Sequence, residues 1–128
     1  MQDKNISVLI VEDEQRVRSL LIEILSTKFK CSSVETASDA IRLMESNFFH
    51  LALVDMGLSG MSGITLCRLI FNRSPHTVVV VVSGNSDPQS IEEAMNAGAA
   101  HYISKPFDLS EVMLIVERAL GRDISGVA

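Results

Sequence analysis

The chain has 128 residues, with 11 Lys and Arg against 16 Asp and Glu and a formal net charge of −5. That length suits one domain able to bury its own core. The acidic balance argues against non-specific nucleic-acid binding, which needs clustered cations. Cys31 and Cys67 lack C-x-x-C spacing, and His50, His76 and His101 lack H-x-x-H spacing. Reduced thiols are therefore expected, and a His/Cys metal site is not. In the C-terminal half the longest apolar run, 78–82, is far too short for a membrane span. The start Met1-Gln2-Asp3-Lys4-Asn5 has no signal-peptide pattern, so a cytoplasmic location is expected.

In chain order, apolar runs alternate with helical spacing. Residues 6–11 predict a strand. Residues 14–28 predict a helix, with Val17, Leu20, Leu21, Ile24 and Leu25 at helical spacing. A short mixed strand is expected over 33–36, then a helix over 38–47 capped by Ser38. Residues 51–54 predict a third strand, and a Gly-rich loop over 57–63 leads to a helix ending near Asn72, before Pro75. A fourth strand is expected over 77–83. Asp87-Pro88 joins a cap to a first-turn proline and opens a helix that Gly98 ends. A fifth strand is expected over 101–104 and a last helix over 108–120, stopped by Gly121. One domain is expected over 1–121, with 122–128 a frayed tail or the start of a linker.

This repeat implies an α/β fold, a parallel sheet with helices on both faces. The first, third and fourth strands are nearly all apolar and suit the centre. The second, with Ser33, Glu35 and Thr36, and the fifth, with His101 and Ser104, suit the edges. The result is a five-stranded, doubly wound, flavodoxin-like sheet of order 2-1-3-4-5, whose binding crevice lies between strands one and three.

The carboxyl ends of the strands then deliver Glu12-Asp13, Asp55, Ser83 and Lys105 to that crevice. Carboxylates held together raise one another's pKa, and a divalent cation resolves the conflict. Mg²⁺ suits a few carboxylates and accepts phosphate oxygens as further ligands. A hydroxyl and an ammonium would face the remaining phosphoryl oxygens. The set reads as a site for phosphoryl transfer onto a carboxylate.

Four segments carry a resemblance: Val11-Glu12-Asp13, the run Val54-Asp55-Met56-Gly57-Leu58-Ser59-Gly60-Met61-Ser62-Gly63, Val82-Ser83-Gly84, and Gly98 through Lys105-Pro106-Phe107. In this order and spacing they resemble the signature segments of response-regulator receiver domains, over about residues 7–120. The resemblance implies that Asp55 is the phosphoacceptor and that Asp13 and Asp55 bind Mg²⁺ directly. Glu12 would act largely through water, and the Gly57 backbone carbonyl would complete the protein's share. Ser83 and Lys105 would bind phosphoryl oxygens, and the bond before Pro106 would be cis. Ser83 and Tyr102 would move on phosphorylation and reshape the face made by the fourth helix, fifth strand and fifth helix. That face would join a homodimer or an output domain, helped by surplus apolar surface at Leu114 and Ile115. Gly57 and Asn85 would flank the path of the water that removes the phosphoryl group. The donor would be a histidine kinase or a histidine phosphotransfer protein. The chain would be a regulator that assists its own phosphorylation and dephosphorylation, rather than an enzyme. It departs from the family's pattern at Ser59, where proline is usual, which should loosen that loop.

Each residue also has a plainer reading. Glu12 and Asp13 could simply favour a helix N-terminus. Ser83 alone suits a turn, Lys105 alone a solvated surface, and Tyr102 alone an edge strand. His101 is expected to be exposed, and Cys67 to be a packing residue. The glycines at 57, 60 and 63 lack dinucleotide-binding spacing. Two other functions compete: a flavodoxin-like flavin-binding electron carrier, and a degenerate receiver that binds without phosphorylation. Acids after the first strand, no Trp and one Tyr weigh against the flavin carrier. Retention of Glu12, Asp13, Asp55, Ser83 and Lys105 weighs against the degenerate receiver.

Overall fold

The structure, a computed structural model, describes residues 4–58, 60–85 and 87–121. Strands β1 (Ser7–Val11), β2 (Lys30–Val34), β3 (Leu51–Asp55), β4 (Val78–Ser83) and β5 (His101–Ser104) form one parallel sheet of order β2-β1-β3-β4-β5. Between and after them run α1 (Gln15–Leu25), α2 (Ala37–Ser46), α3 (Gly63–Arg73), α4 (Pro88–Asn96) and α5 (Leu109–Ala119). The doubly wound, flavodoxin-like order expected from strand polarity is the one observed. No described helix is long and apolar enough to cross a membrane.

Strand side chains alternate between faces, so a strand buried on both sides must be apolar throughout. Every residue of β3 is buried, and two cores result. Leu9, Val11, Ala52, Val54, Val79 and Val81 face α2, α3 and α4, with Ala40, Leu66, Ile70 and Ala94 among their partners. Val8, Ile10, Leu51, Leu53, Val80 and Val82 face α1 and α5, with Leu21, Leu25, Val112 and Val116. Burying one such side chain contributes about 1.5–3 kcal/mol. The central strands are therefore fixed from both sides, and their carboxyl ends are fixed with them.

The main departures from expectation lie in the second strand and the first two helices. The second strand runs Lys30–Val34, not 33–36: its polar residues mask it in the sequence, but its backbone pairs with β1 from Ser7↔Lys30 to Val11↔Val34. Pairing with a fixed central strand outweighs weak strand propensity. The second helix is capped by Thr36, whose hydroxyl accepts the Asp39 N–H at 3.1 Å, and not by Ser38. The first helix also stops at Leu25, where its apolar spacing stops, and a turn follows in which the Lys28 and Phe29 amides donate to the Leu25 carbonyl. On α5, Leu114 and Ile115 are both half-buried, and Ile115 packs its buried part onto the α1-side core. His101 is half-buried rather than exposed, and Cys67 is buried in the core as expected. Glu117, also on α5, is buried and pairs with Lys28 at 3.0 Å, a link between α5 and the turn after α1 that the sequence did not suggest.

Two glycines are required by close packing. At Gly98, φ is +109°, and a Cβ would lie 2.7 Å from the Phe71 ring, so the end of α4 rests directly on α3. A Cβ on Gly63 would lie 2.4 Å from the Asp55 carbonyl oxygen and 2.7 Å from the Met56 Cα. The start of α3 thus abuts the backbone of Asp55 itself. The loosening expected at Ser59 and the tail expected over 122–128 lie outside the described residues.

Candidate functional site

Sheet register assembles the polar residues. Val11 pairs with Val54, so Glu12 and Asp55 lie level at the ends of adjacent strands. Asp55 pairs in turn with Val82, and Ser83 with Ser104, one residue before Lys105. The ladder continues past the strands: the Met56 N–H donates to the Val82 carbonyl at 2.9 Å, and the Lys105 N–H to the Ser83 carbonyl at 2.8 Å. The Lys105–Pro106 bond is cis.

Glu12, Asp13 and Asp55 each bring a carboxylate oxygen within 4.8 Å of the other two. Glu12 is 1% exposed and Asp55 5%, while Asp13 is half-buried. The Lys105 ammonium reaches both buried acids, 3.2 Å from Glu12 Oε1 and 3.4 Å from Asp55 Oδ1. Asp55 Oδ1 also accepts the Gly57 N–H at 3.2 Å, and Glu12 Oε2 accepts the Glu14 N–H at 3.2 Å. Glu12 Oε1 is buried and makes no hydrogen bond among the described residues, and it pairs with the Lys105 ammonium.

The electrostatics follow. Burial, then the neighbouring Asp55 carboxylate, push the Glu12 carboxyl up to about 7, against the pull of the Glu14 amide and Lys105. Burial alone would lower the Lys105 pKa, but attraction to Asp55 and Glu12 outweighs it and raises it overall. Lys105 is therefore a firm ammonium serving two acids, with a third beside them. A buried acid pushed towards neutrality, with an oxygen lacking a hydrogen bond, suits a divalent cation with oxygen ligands. The donor set is all carboxylate, the chemistry Mg²⁺ prefers.

Ser83 and Tyr102 meet at Asn85. The Ser83 hydroxyl, on a residue 5% exposed, accepts the Asn85 N–H at 3.0 Å and lies 3.3 Å from the Asn85 carbonyl. The Tyr102 hydroxyl donates to that same carbonyl. Gly57 is exposed, and a Cβ there would sit 3.8 Å from both Asp55 carboxylate oxygens, in ordinary contact. Gly57 thus places no side chain against the Asp55 carboxylate.

Sequence reasoning missed Arg18. From α1, its Nη1 donates to the Glu12 carbonyl at 2.8 Å, and its Nη2 lies 3.5 Å from Glu35 Oε1. Nothing in the helical pattern marks this residue, because the contact is to backbone across a turn. A surface cavity of about 400 Å³ between the ends of α2 and α3, lined by Met44, Phe48 and Ile70 among others, lies at the opposite end of the sheet.

A family model described as the response regulator receiver domain matches residues 8–117. The DNA-binding transcriptional regulator NtrC of Escherichia coli K12 is 30% identical over 114 residues, 88% of this chain and 24% of that protein. The chain thus spans about a quarter of the curated relatives it matches. Among solved structures, the BeF3-activated receiver domain of DrrB, a Thermotoga maritima protein, superposes with a TM-score of 0.86 at 27% identity, covering 95% of this chain and 100% of that one. A CheY-like receiver protein from Methanospirillum hungatei gives a TM-score of 0.86 at 26% identity, covering 91% and 94%.

The raised Glu12 pKa fixes a pH dependence for the metal-free chain. The folded state holds the Glu12 proton up to about pH 7, whereas the unfolded chain releases it near the ordinary 4.5. Between these values the folded state binds more protons, so this group's contribution to stability falls as pH rises. Urea midpoints in a chelator at pH 5.5 and 8 should show wild type losing on the order of 2 kcal/mol relative to Glu12→Gln across the window. Parallel pH profiles for the two proteins would contradict the assigned environment.

Proposed function

The chain belongs to the response-regulator receiver family, and from that premise we propose that it is a phosphorylation-activated switch of a two-component phosphorelay, taking a phosphoryl group from phosphohistidine onto Asp55. Membership in this family sets aside the flavin-carrier alternative. Receivers are signalling switches and not enzymes in the ordinary sense. The observation that carries the reading is the Lys105 ammonium, 3.4 Å from the buried Asp55 carboxylate, in a cluster with Glu12 and Asp13.

In the step proposed, an Asp55 carboxylate oxygen attacks phosphorus. The bond from phosphorus to the donor imidazole nitrogen breaks, and that nitrogen leaves with its electron pair and takes up a proton. Glu12, Asp13, Asp55 and the Gly57 carbonyl would hold Mg²⁺, which supplies positive charge against the phosphoryl oxygens. Lys105, already at the acceptor, turns its charge to another phosphoryl oxygen. Ser83 must exchange its bonds to Asn85 for one to the phosphoryl group. That releases the Asn85 backbone, to which Tyr102 is also bonded, and so passes the event to β5. The outcome is a population shift driven by the new contacts.

The unit acting as the switch is the stretch 1–121, and the donor would be a histidine kinase or a histidine phosphotransfer protein in the cytoplasm. The face of α4, β5 and α5 would carry the signal to a second copy or an output domain. Leu114 remains as its apolar contribution on α5, and Met95, 44% exposed, adds one on α4. DNA binding, named for NtrC, is not carried to this acidic chain.

Two experiments test this reading. Incubation with acetyl phosphate and Mg²⁺, followed by intact mass, should label wild type and leave Asp55→Asn unlabelled; equal labelling of both would refute the acceptor assignment. The second concerns lifetime, because Gly57, beside Asp55, offers no side-chain group to hold an attacking water, and Asn85 offers an amide but no base. Gly57→Asn with Asn85→Glu should therefore speed loss of the phosphoryl group by on the order of tenfold through better positioning of water. Decay after donor removal measures it, and an unchanged rate would mean that positioning does not limit the lifetime.

A further inference from the structure

Arg18 is the fourth residue of α1, and its side chain is only 14% exposed. Arginine ordinarily keeps its head group in water, so this placement needs a partner, and the partner is the turn that carries the acids. The Glu12 N–H donates to the Val34 carbonyl of β2 at 3.1 Å. The Glu12 carbonyl accepts Arg18 Nη1 at 2.8 Å. The Glu14 N–H returns to the Glu12 carboxylate at 3.2 Å. Because a peptide group is planar, fixing the Glu12 carbonyl also fixes the direction in which Asp13 begins. The second arm of the guanidinium, Nη2, lies 3.5 Å from Glu35, just beyond β2, which steadies the fork from the other side.

We propose that Arg18 is a positioning residue for the cation site: by clamping the Glu12–Asp13 peptide it holds the Glu12 and Asp13 carboxylates together with Asp55. This rests on reading those three acids as the Mg²⁺ site. Lysine cannot take the place of arginine here, since a single ammonium does not span the carbonyl and Glu35 as a planar fork does.

The sign of the effect separates positioning from simple charge. Arg18 is positive and close to the cation's place, so on electrostatic grounds alone its removal should tighten Mg²⁺ binding. A clamp predicts the reverse. Neighbours that orient metal ligands are worth about 10–100-fold in affinity, so Arg18→Gln and Arg18→Lys should each weaken Mg²⁺ by roughly tenfold. Glu35 is 66% exposed, and Glu35→Gln should cost at most about fivefold.

The test is an Mg²⁺ titration of the full ¹⁵N-labelled chain, read on the Gly57 amide, with urea midpoints in chelator as a control for folding. Arg18→Lys retains charge and stem and serves if Arg18→Gln folds poorly. With acetyl phosphate, the Mg²⁺ concentration for half-maximal labelling should rise in both variants while the rate at saturating Mg²⁺ stays near wild type. Affinity equal to or tighter than wild type in a folded variant would overturn the clamp. Failure of wild type to bind Mg²⁺, or undiminished binding by Asp13→Asn, would instead remove the cation-site reading on which the clamp rests.

Discussion

Three carboxylates held against one ammonium are the constraint on which the rest of this molecule depends. Glu12 and Asp55 are buried at the ends of adjacent central strands, and Lys105 is shared between them at 3.2 and 3.4 Å. In water such acids would separate. Here the sheet forbids it, because β1 and β3 are packed on both faces and registered residue by residue. Burial therefore raises the Glu12 pKa to about 7 instead of dispersing the charge. Core packing energy is spent on maintaining an electrostatically unfavourable cluster, the usual mark of a functional site.

The surroundings preserve that cluster. Gly63 lets α3 approach the Asp55 backbone more closely than any side chain would allow. Glu12 is tied through its amide to β2 and through its carbonyl to Arg18. On the other side, Ser83 and Tyr102 converge on the backbone of Asn85. The acid side is clamped by several independent contacts, whereas the serine side depends on a few hydrogen bonds in one exposed loop. A new group on Asp55 would thus meet more contacts on the acid side than on the serine side, and a population shift would need the more sparsely held side to rearrange.

Much of this was legible in the residues. Wholly apolar runs at 51–54 and 78–82 placed the central strands, and the polar second and fifth strands placed the edges. Once the order was known, Glu12, Asp13, Asp55, Ser83 and Lys105 had to lie together at the carboxyl ends. The bounds of β2 were not legible, since Cys31, Ser32 and Ser33 show no strand pattern and their pairing is imposed by β1. The core contact of the half-buried Ile115 was not legible, because α5 packs on α1 as well as on the sheet and so buries more than one stripe. Arg18 and the Lys28–Glu117 pair stayed hidden for a shared reason: their partners are contacts across turns or between helices, which spacing along one element does not encode.

The central claim is that the acid cluster is an incomplete charge balance that a divalent cation completes. A ligand that binds only the folded state raises stability with its concentration. The most direct measurement is the urea midpoint of wild type and Asp13→Asn across an Mg²⁺ series at fixed ionic strength. A cation site at Glu12, Asp13 and Asp55 predicts a rise of about 1.4 kcal/mol per tenfold Mg²⁺ above half-saturation for wild type and a much smaller rise for the variant. A wild-type midpoint that does not move with Mg²⁺, or one that moves equally in Asp13→Asn, would contradict it.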